Sequence, residues 1–134
     1  MKKYELIRHD SVTYLSRTLY RIRALRDFGD VKEGDIGGFV ESENNLSQNG
    51  NSWVSVNAKV HDNARILDEA QVFGNARVFW NAQVYGNAWI FDEAQVFGNA
   101  KVFGNAWVYG RARVYENDRV SGNAQVHGIA KEYS

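Results

Sequence analysis

Three histidines, His9, His61 and His127, are the side chains of this 134-residue chain best suited to taking or giving a proton at neutral pH. A thiolate nucleophile, a thiolate metal site and a disulfide are all excluded, because the chain has no cysteine. Arg17, Arg21, Arg23 and Arg26 form a local basic cluster in "RTLYRIRALR". Guanidinium forks of this kind can hold a phosphate or carboxylate. The plainer alternative is a solvated strand face paired with the acidic stretch that follows. Gly-x-Ser-x-Gly, P-loop and dinucleotide fingerprints are absent. Acid–base chemistry would therefore rest on a histidine, and the elements that carry the histidines decide whether it can.

Two of the three sit in a short repeat. From Val54 to Val126 every sixth residue is Val or Ile, at thirteen positions. Four residues after each stands Ala, with Asp118 the one exception. "QVFGNARVFWNAQVYGNA", residues 71–88, shows three copies. Gly or Asp followed by Asn usually separates Val from Ala. A period of six would scatter Val around a helix, and Gly-Asn at that spacing would break one. Short strands joined by tight corners fit instead. Gly and Asn accept left-handed backbone angles cheaply, Val suits a buried pleated wall, and Ala fits where the wall turns inward. Three walls close a triangular coil of about 18 residues, and coils stack at about 4.8 Å. The hexads thus predict an all-β prism of a little over four coils, roughly 20 Å tall.

Residues eighteen apart then share a face. The position before each Val gives Trp53, Gln71, Trp89, Trp107 and Gln125 on a first wall. The position after it gives Ser55, Phe73, Phe91, Tyr109 and His127 on that wall. Lys59, Arg77, Gln95, Arg113 and Lys131 mark the second wall, with His61, Phe79, Phe97 and Tyr115. Arg65, Gln83, Lys101 and Arg119 mark the third. The first wall alone has no Lys or Arg in its outward columns. A charge-free strip of Trp, Phe and Tyr has the composition of an interface core. The alternative is that stacked aromatics only stabilise their own sheet. His61 and His127 occupy an outward slot filled elsewhere mostly by Phe or Tyr, and read first as surface replacements. They stand 66 residues apart, not a multiple of 18, and so on different walls. Trp80, at a corner, reads as a surface aromatic tucked against its neighbour. Asp118, in an inward slot, implies a fraying coil or a buried polar contact.

The pattern Val-x-Gly-Asn-Ala-x resembles the hexapeptide-repeat family, over residues 53–131, about three-fifths of the chain. The stretch "LYRIRALRDFGDVKEGDIGGFVESENNLSQNG" also resembles the start of small phage and enterobacterial proteins labelled acetyltransferases. The resemblance implies a left-handed parallel β-helix and a trimer around a threefold axis. For activity it implies acyl transfer from acyl-CoA, with a histidine base in the cleft between subunits. The residues themselves suggest a binding protein instead, since clefts walled by aromatics and rimmed by Arg, Asp and Glu could hold a nucleotide-like small molecule or a host protein. Likeness to the phage proteins implies that such a protein is phage-encoded and counter-defensive. A purely structural module is the third reading. No long loop interrupts the repeats, which favours the binding reading. A zinc site of three histidines on neighbouring coils does not fit the spacing here. Ice binding would want Thr ladders, and the repeats have no Thr.

Residues 1–44 do not repeat and are expected to form a small β cap over the first coil, with the β-helix spanning 45–134. "YELIR" and "LYRIRAL" read as strands and "DFGDVKEGDIGG" as turns. Leu46 and Gly50 form one degenerate hexad, with two extra residues before Trp53. The charged Lys131 and Glu132 are expected to blunt the last coil's edge. Sixteen basic residues balance sixteen acidic ones, so nucleic acid and membrane surfaces are not expected partners. The start lacks a signal-peptide apolar region, and no apolar run reaches the roughly 20 residues of a membrane span. The expectation is a cytoplasmic protein without metal or cofactor, its binding and interface residues being Trp53, Trp89, Phe91, Trp107, Tyr109, Arg111 and His127.

Overall fold

The computed structural model of the chain describes residues 2–128. Strands of two residues stack into three parallel ladders. The first wall contains Trp53–Val54, Gln71–Val72, Trp89–Ile90, Trp107–Val108 and Gln125–Val126. The second contains Lys59–Val60, Arg77–Val78, Gln95–Val96 and Arg113–Val114. The third contains Arg65–Ile66, Gln83–Val84, Lys101–Val102 and Arg119–Val120. Register is set in steps of eighteen: Trp89 lies opposite Gln71 below and Trp107 above. The protein is therefore a parallel β-helix whose columns are those the hexads predict.

One uniform bond pattern holds the levels together. Each level's amide N–H groups donate to carbonyls one coil further along, as Trp89 N does to Ala106 O at 3.0 Å and Phe91 N to Val108 O at 2.9 Å. Inside, the Val, Ile and Ala side chains of the hexad positions from Val54 to Val114 are fully buried, whereas Val56, at a corner, is exposed. Within each corner the Ala amide folds back three residues, as Ala94 N does to Phe91 O at 3.2 Å. Only the first residue of the Gly-Asn pair is left-handed, whereas the sequence suggested that both mark the bend. Gly104 shows why Gly suits that place. Its φ is 69°, and a Cβ there would come within 2.8 Å of Gly122 N. Where Asp replaces Gly, its carboxylate caps an amide one coil up. Asp62, Asp68 and Asp92 accept from Trp80 N, Gly86 N and Gly110 N at 2.9–3.0 Å. Asp118 keeps the corner bond through its own N–H, which donates to Tyr115 O at 3.2 Å.

The N-terminal part is a three-stranded antiparallel meander: β1 (Tyr4–Tyr14), β2 (Arg17–Ala24) and β3 (Ile36–Val40). It joins the second wall edge to edge, for Phe39 and Val40 pair in parallel with Lys59 and Val60. Leu46 bridges Ile66 on the third wall, and the separation of twenty there shows the two extra residues. β3 is a strand where the Gly-Gly of "DIGGFV" suggested a turn. A Cβ on Gly37 would sit 2.5 Å from Val54 O, so glycine here serves close approach of the meander to the first coil. Ala130, Lys131 and Glu132 lie outside the described residues.

Two polar side chains seat the meander. Lys3 is fully buried and donates its Nζ to Ser52 O at 2.8 Å and Ser52 Oγ at 3.2 Å, with Asn49 O and Gly50 O close by. Burial, with Arg26 adding to it, lowers its pKa to about 8. Asn45, also buried, accepts from Glu41 N and Ser42 N and donates to Ala64 O at 2.9 Å. Both close the first coil by satisfying backbone groups that have no coil beneath them.

Candidate functional site

The outward rings of the first wall form two columns. Phe73, Phe91, Tyr109 and His127 stack one above another with centroids 5.0, 5.1 and 5.3 Å apart. Trp89 and Trp107 stack beside them at 5.0 Å, their planes parallel. Between columns the rings meet edge to face, with interplanar angles of 79–81°. The wall is thus a herringbone in which each ring's face is turned to the ring one coil away. What points outward is mostly ring edge. Each ring pair adds about 0.5–1.5 kcal/mol beyond its area burial, so the ladder also braces its own sheet.

Of the residues expected in the interface, Trp89, Phe91, Trp107, Tyr109 and His127 share this wall. Trp89 is the most open of them, at 38% exposure. Arg111 stands at the corner toward the second wall, its Nε 3.3 Å from Glu93. Trp53 is in the same column but is taken up by the meander. It meets Phe28 and Tyr4 edge to face at 5.2 and 6.4 Å and is only 5% exposed. Burial, with Glu43 adding to it, raises the Tyr4 hydroxyl, which donates to Leu46 O at 2.6 Å. An open groove of about 350 Å³ remains where the loop at Asp30 faces Glu69, Gln71, Phe73 and Trp89.

The histidines are placed differently from one another. His61 is not on the surface, although its slot is an outward one. It is 2% exposed, stacks on Phe79 at 5.2 Å, and meets the edge of Tyr14 from the tip of the β1–β2 hairpin. Neither ring nitrogen has a hydrogen-bond partner, although Asp62 Oδ1 lies 3.4 Å from Nδ1. Burial lowers its pKa against the opposing pull of Asp62, so at neutral pH it is the uncharged imidazole. His127 ends the first-wall ladder among the described residues, and His9 is exposed in β1.

The arginine cluster is spent inside the chain. Arg17 pairs with Glu41 at 3.1 Å and with Asp62 at 2.6 Å, latching the hairpin tip to the second wall. Arg23 pairs with Glu5. Arg21 donates to Gly37 O and Val56 O at 2.9 and 2.8 Å and lies over the Phe39 ring. Arg26 reaches Gln48 O at 3.4 Å. Partly acidic partners and partly carbonyls hold this face together.

A second basic group joins residues that the sequence places apart, Arg77 and Arg113 in the second-wall column and Arg111 among the interface residues. An open groove of about 550 Å³ runs along the corner between the first and second walls, lined by Asn75, Arg77, Glu93, Gln95, Arg111 and Arg113. The column arithmetic could have found it if it had been applied to the corner positions. Residues 75, 93 and 111 are eighteen apart, as are 77, 95 and 113.

Residues 94–110 match the profile described as the YdcK beta solenoid repeat. The repeat is a β-solenoid repeat. The match spans just under one coil, ending with Trp107 and Tyr109, and concerns architecture rather than acetyl transfer. No curated protein matches the chain. As a β-solenoid, the protein offers its surface as straight columns of residues eighteen apart. Among the described residues no group of three His, Asp or Glu is placed to hold a metal ion. No helix there is long and apolar enough to cross a membrane.

Proposed function

We propose that this protein is a binding module that acts without catalysis and assembles as a homotrimer through its first wall. The observation that carries the reading is the herringbone of Trp89, Trp107, Phe73, Phe91 and Tyr109, with no Lys or Arg in either column. On the other walls cations lie over the rings, as Arg77 does over Phe79 and Arg119 over Phe103. Cationic heads keep those rims wetted. The first wall has no such cover, and a strip of this kind is the usual core of a protein interface. The wall supplies the contact; the resemblance to hexapeptide-repeat proteins supplies the number three. A nucleotide-like anion or a partner protein is then held along the edges of the wall.

Acyl transfer would need a histidine that a substrate can reach. His61 is enclosed beneath Tyr14, which removes one of the three histidines from that chemistry.

The experiment is light scattering after gel filtration. Wild type should run at three times the chain mass, and Trp89→Glu and Trp107→Glu should each shift it to the monomer with far-ultraviolet circular dichroism unchanged. Burying one carboxylate per chain at a self-contact costs several kcal/mol. A monomeric wild type would overturn the assembly.

A further inference from the structure

We propose that the groove between the first and second walls is a binding site for an oligophosphate, gripped by Arg77, Arg111 and Arg113 and recognised through its phosphates rather than through a base. This deepens the ligand reading above and rests on it, but the groove lies within one chain and does not need the trimer.

Three arginines against one glutamate give the lining a net charge of +2, the Asn and Gln being neutral (3 − 1). Glu93 is already engaged with Arg111. Arg77 and Arg113 have no carboxylate within ion-pair distance among the described residues. Arg77 is also held in place. Its guanidinium lies over the Tyr14 ring at 4.9 Å and over the Phe79 ring at 4.8 Å. A guanidinium already fixed by rings loses less freedom when it binds an anion. Lys59, one coil below Arg77, adds to the positive field; its own pKa is lowered by burial first and then by Arg77 and Arg21.

The geometry selects the ligand's length. Arg77 and Arg113 share a column two coils apart, which at the coil spacing is roughly 10 Å. Guanidinium groups at that separation suit a linear chain of phosphates lying along the prism, with the corner Arg111 beside it. A single phosphate reaches only one end. Planar forks bind phosphate oxygens two at a time, which suits three arginines better than scattered lysines.

The ring ladders argue against base recognition. His61, Phe79, Phe97 and Tyr115 on the second wall stack on one another at 4.9–5.3 Å. Their faces are occupied by one another, so a nucleobase finds edges there rather than a stacking platform.

The test is calorimetric titration of the full chain at low ionic strength with orthophosphate, pyrophosphate, tripolyphosphate, ATP and GTP. Affinity should climb with phosphate number, and tripolyphosphate, ATP and GTP should agree within about threefold. Arg77→Gln and Arg113→Gln should each weaken tripolyphosphate by about tenfold or more, the scale of one charge-assisted contact. Arg119→Gln, on the third wall, should leave it unchanged. Arg113→Gln keeps the test valid if Arg77→Gln loosens the hairpin. The site is overturned by any of three results: no binding of any anion, ATP and GTP differing by about tenfold, or Arg119→Gln weakening binding as much as Arg113→Gln. Retained binding by a monomer would sink the trimer alone, and a trimer that binds nothing would sink the groove alone.

Discussion

The first and second walls have the same backbone, the same Val and Ala interior and the same ring columns, yet they meet the rest of the molecule differently. On the second wall the column beside the rings holds Lys59, Arg77 and Arg113, and the β1–β2 hairpin lies against its lower levels. On the first wall that column holds Gln71, Trp89 and Trp107, and the meander covers only Trp53. A β-solenoid thus keeps a shared interior apart from a surface that can vary. The inward residues are Val, Ile and Ala on every wall, with Asp118 the exception, and the walls differ in what flanks the rings.

The largest effects should be those that ignore the comparison, because the interior is shared. Ile90 on the first wall and Val96 on the second are both fully buried. Ile90→Ala should cost about 2–5 kcal/mol, and Val96→Ala somewhat less for the smaller volume removed. Urea unfolding measures both. If one wall tolerated truncation while the other did not, the walls would not be equivalent inside.

His61 sharpens the contrast, since its counterpart on the first wall, His127, lies at the end of a ladder instead of under a hairpin. The folded pKa of His61 is lowered, so below the unfolded value of about 6.5 the unfolded chain takes up a proton that the native one refuses. Stability should fall as pH drops through that value and be unaffected by this group well above it. His61→Phe completes the ladder with a ring that does not titrate, so its melting temperature should lose that acid-side slope between pH 7 and 5. An unchanged slope would mean that water already reaches the imidazole.

The periodic part of the chain was open to sequence reasoning because a column needs only a count of eighteen. Trp89 above Gln71 and below Trp107 follows from arithmetic, as does the stacking of Phe73 on Phe91. The covers were not legible. Whether Trp53 and His61 are free depends on where Phe28, Tyr4 and Tyr14 land, and these lie in a segment with no repeat to count. Lys3 was equally hidden, since a lysine next to the N-terminus is ordinarily exposed and only the carbonyls of Asn49, Gly50 and Ser52 give it a buried place. β3 was obscured by its own glycines, which mark a turn when free and a close approach when packed. The basic groove follows from the same arithmetic as the Trp column, applied to the corners as well as to the walls.

Trp80 gives the smallest effect because two terms oppose each other. It stands at a corner slot with φ of 58°, where a side chain costs about 1–2 kcal/mol relative to Gly. Its ring is 54% exposed but meets Phe79 and Phe97 edge to face, both at 5.5 Å, and each such contact returns about 0.5–1.5 kcal/mol. Trp80→Gly should therefore leave stability within about 1 kcal/mol of wild type. Trp80→Ala keeps the strained angle and loses the rings, so it should be the less stable of the two by about 1 kcal/mol. If Ala and Gly proved equal by urea unfolding, the corner would not be strained and the preference for Gly at these slots would rest on crowding between coils alone.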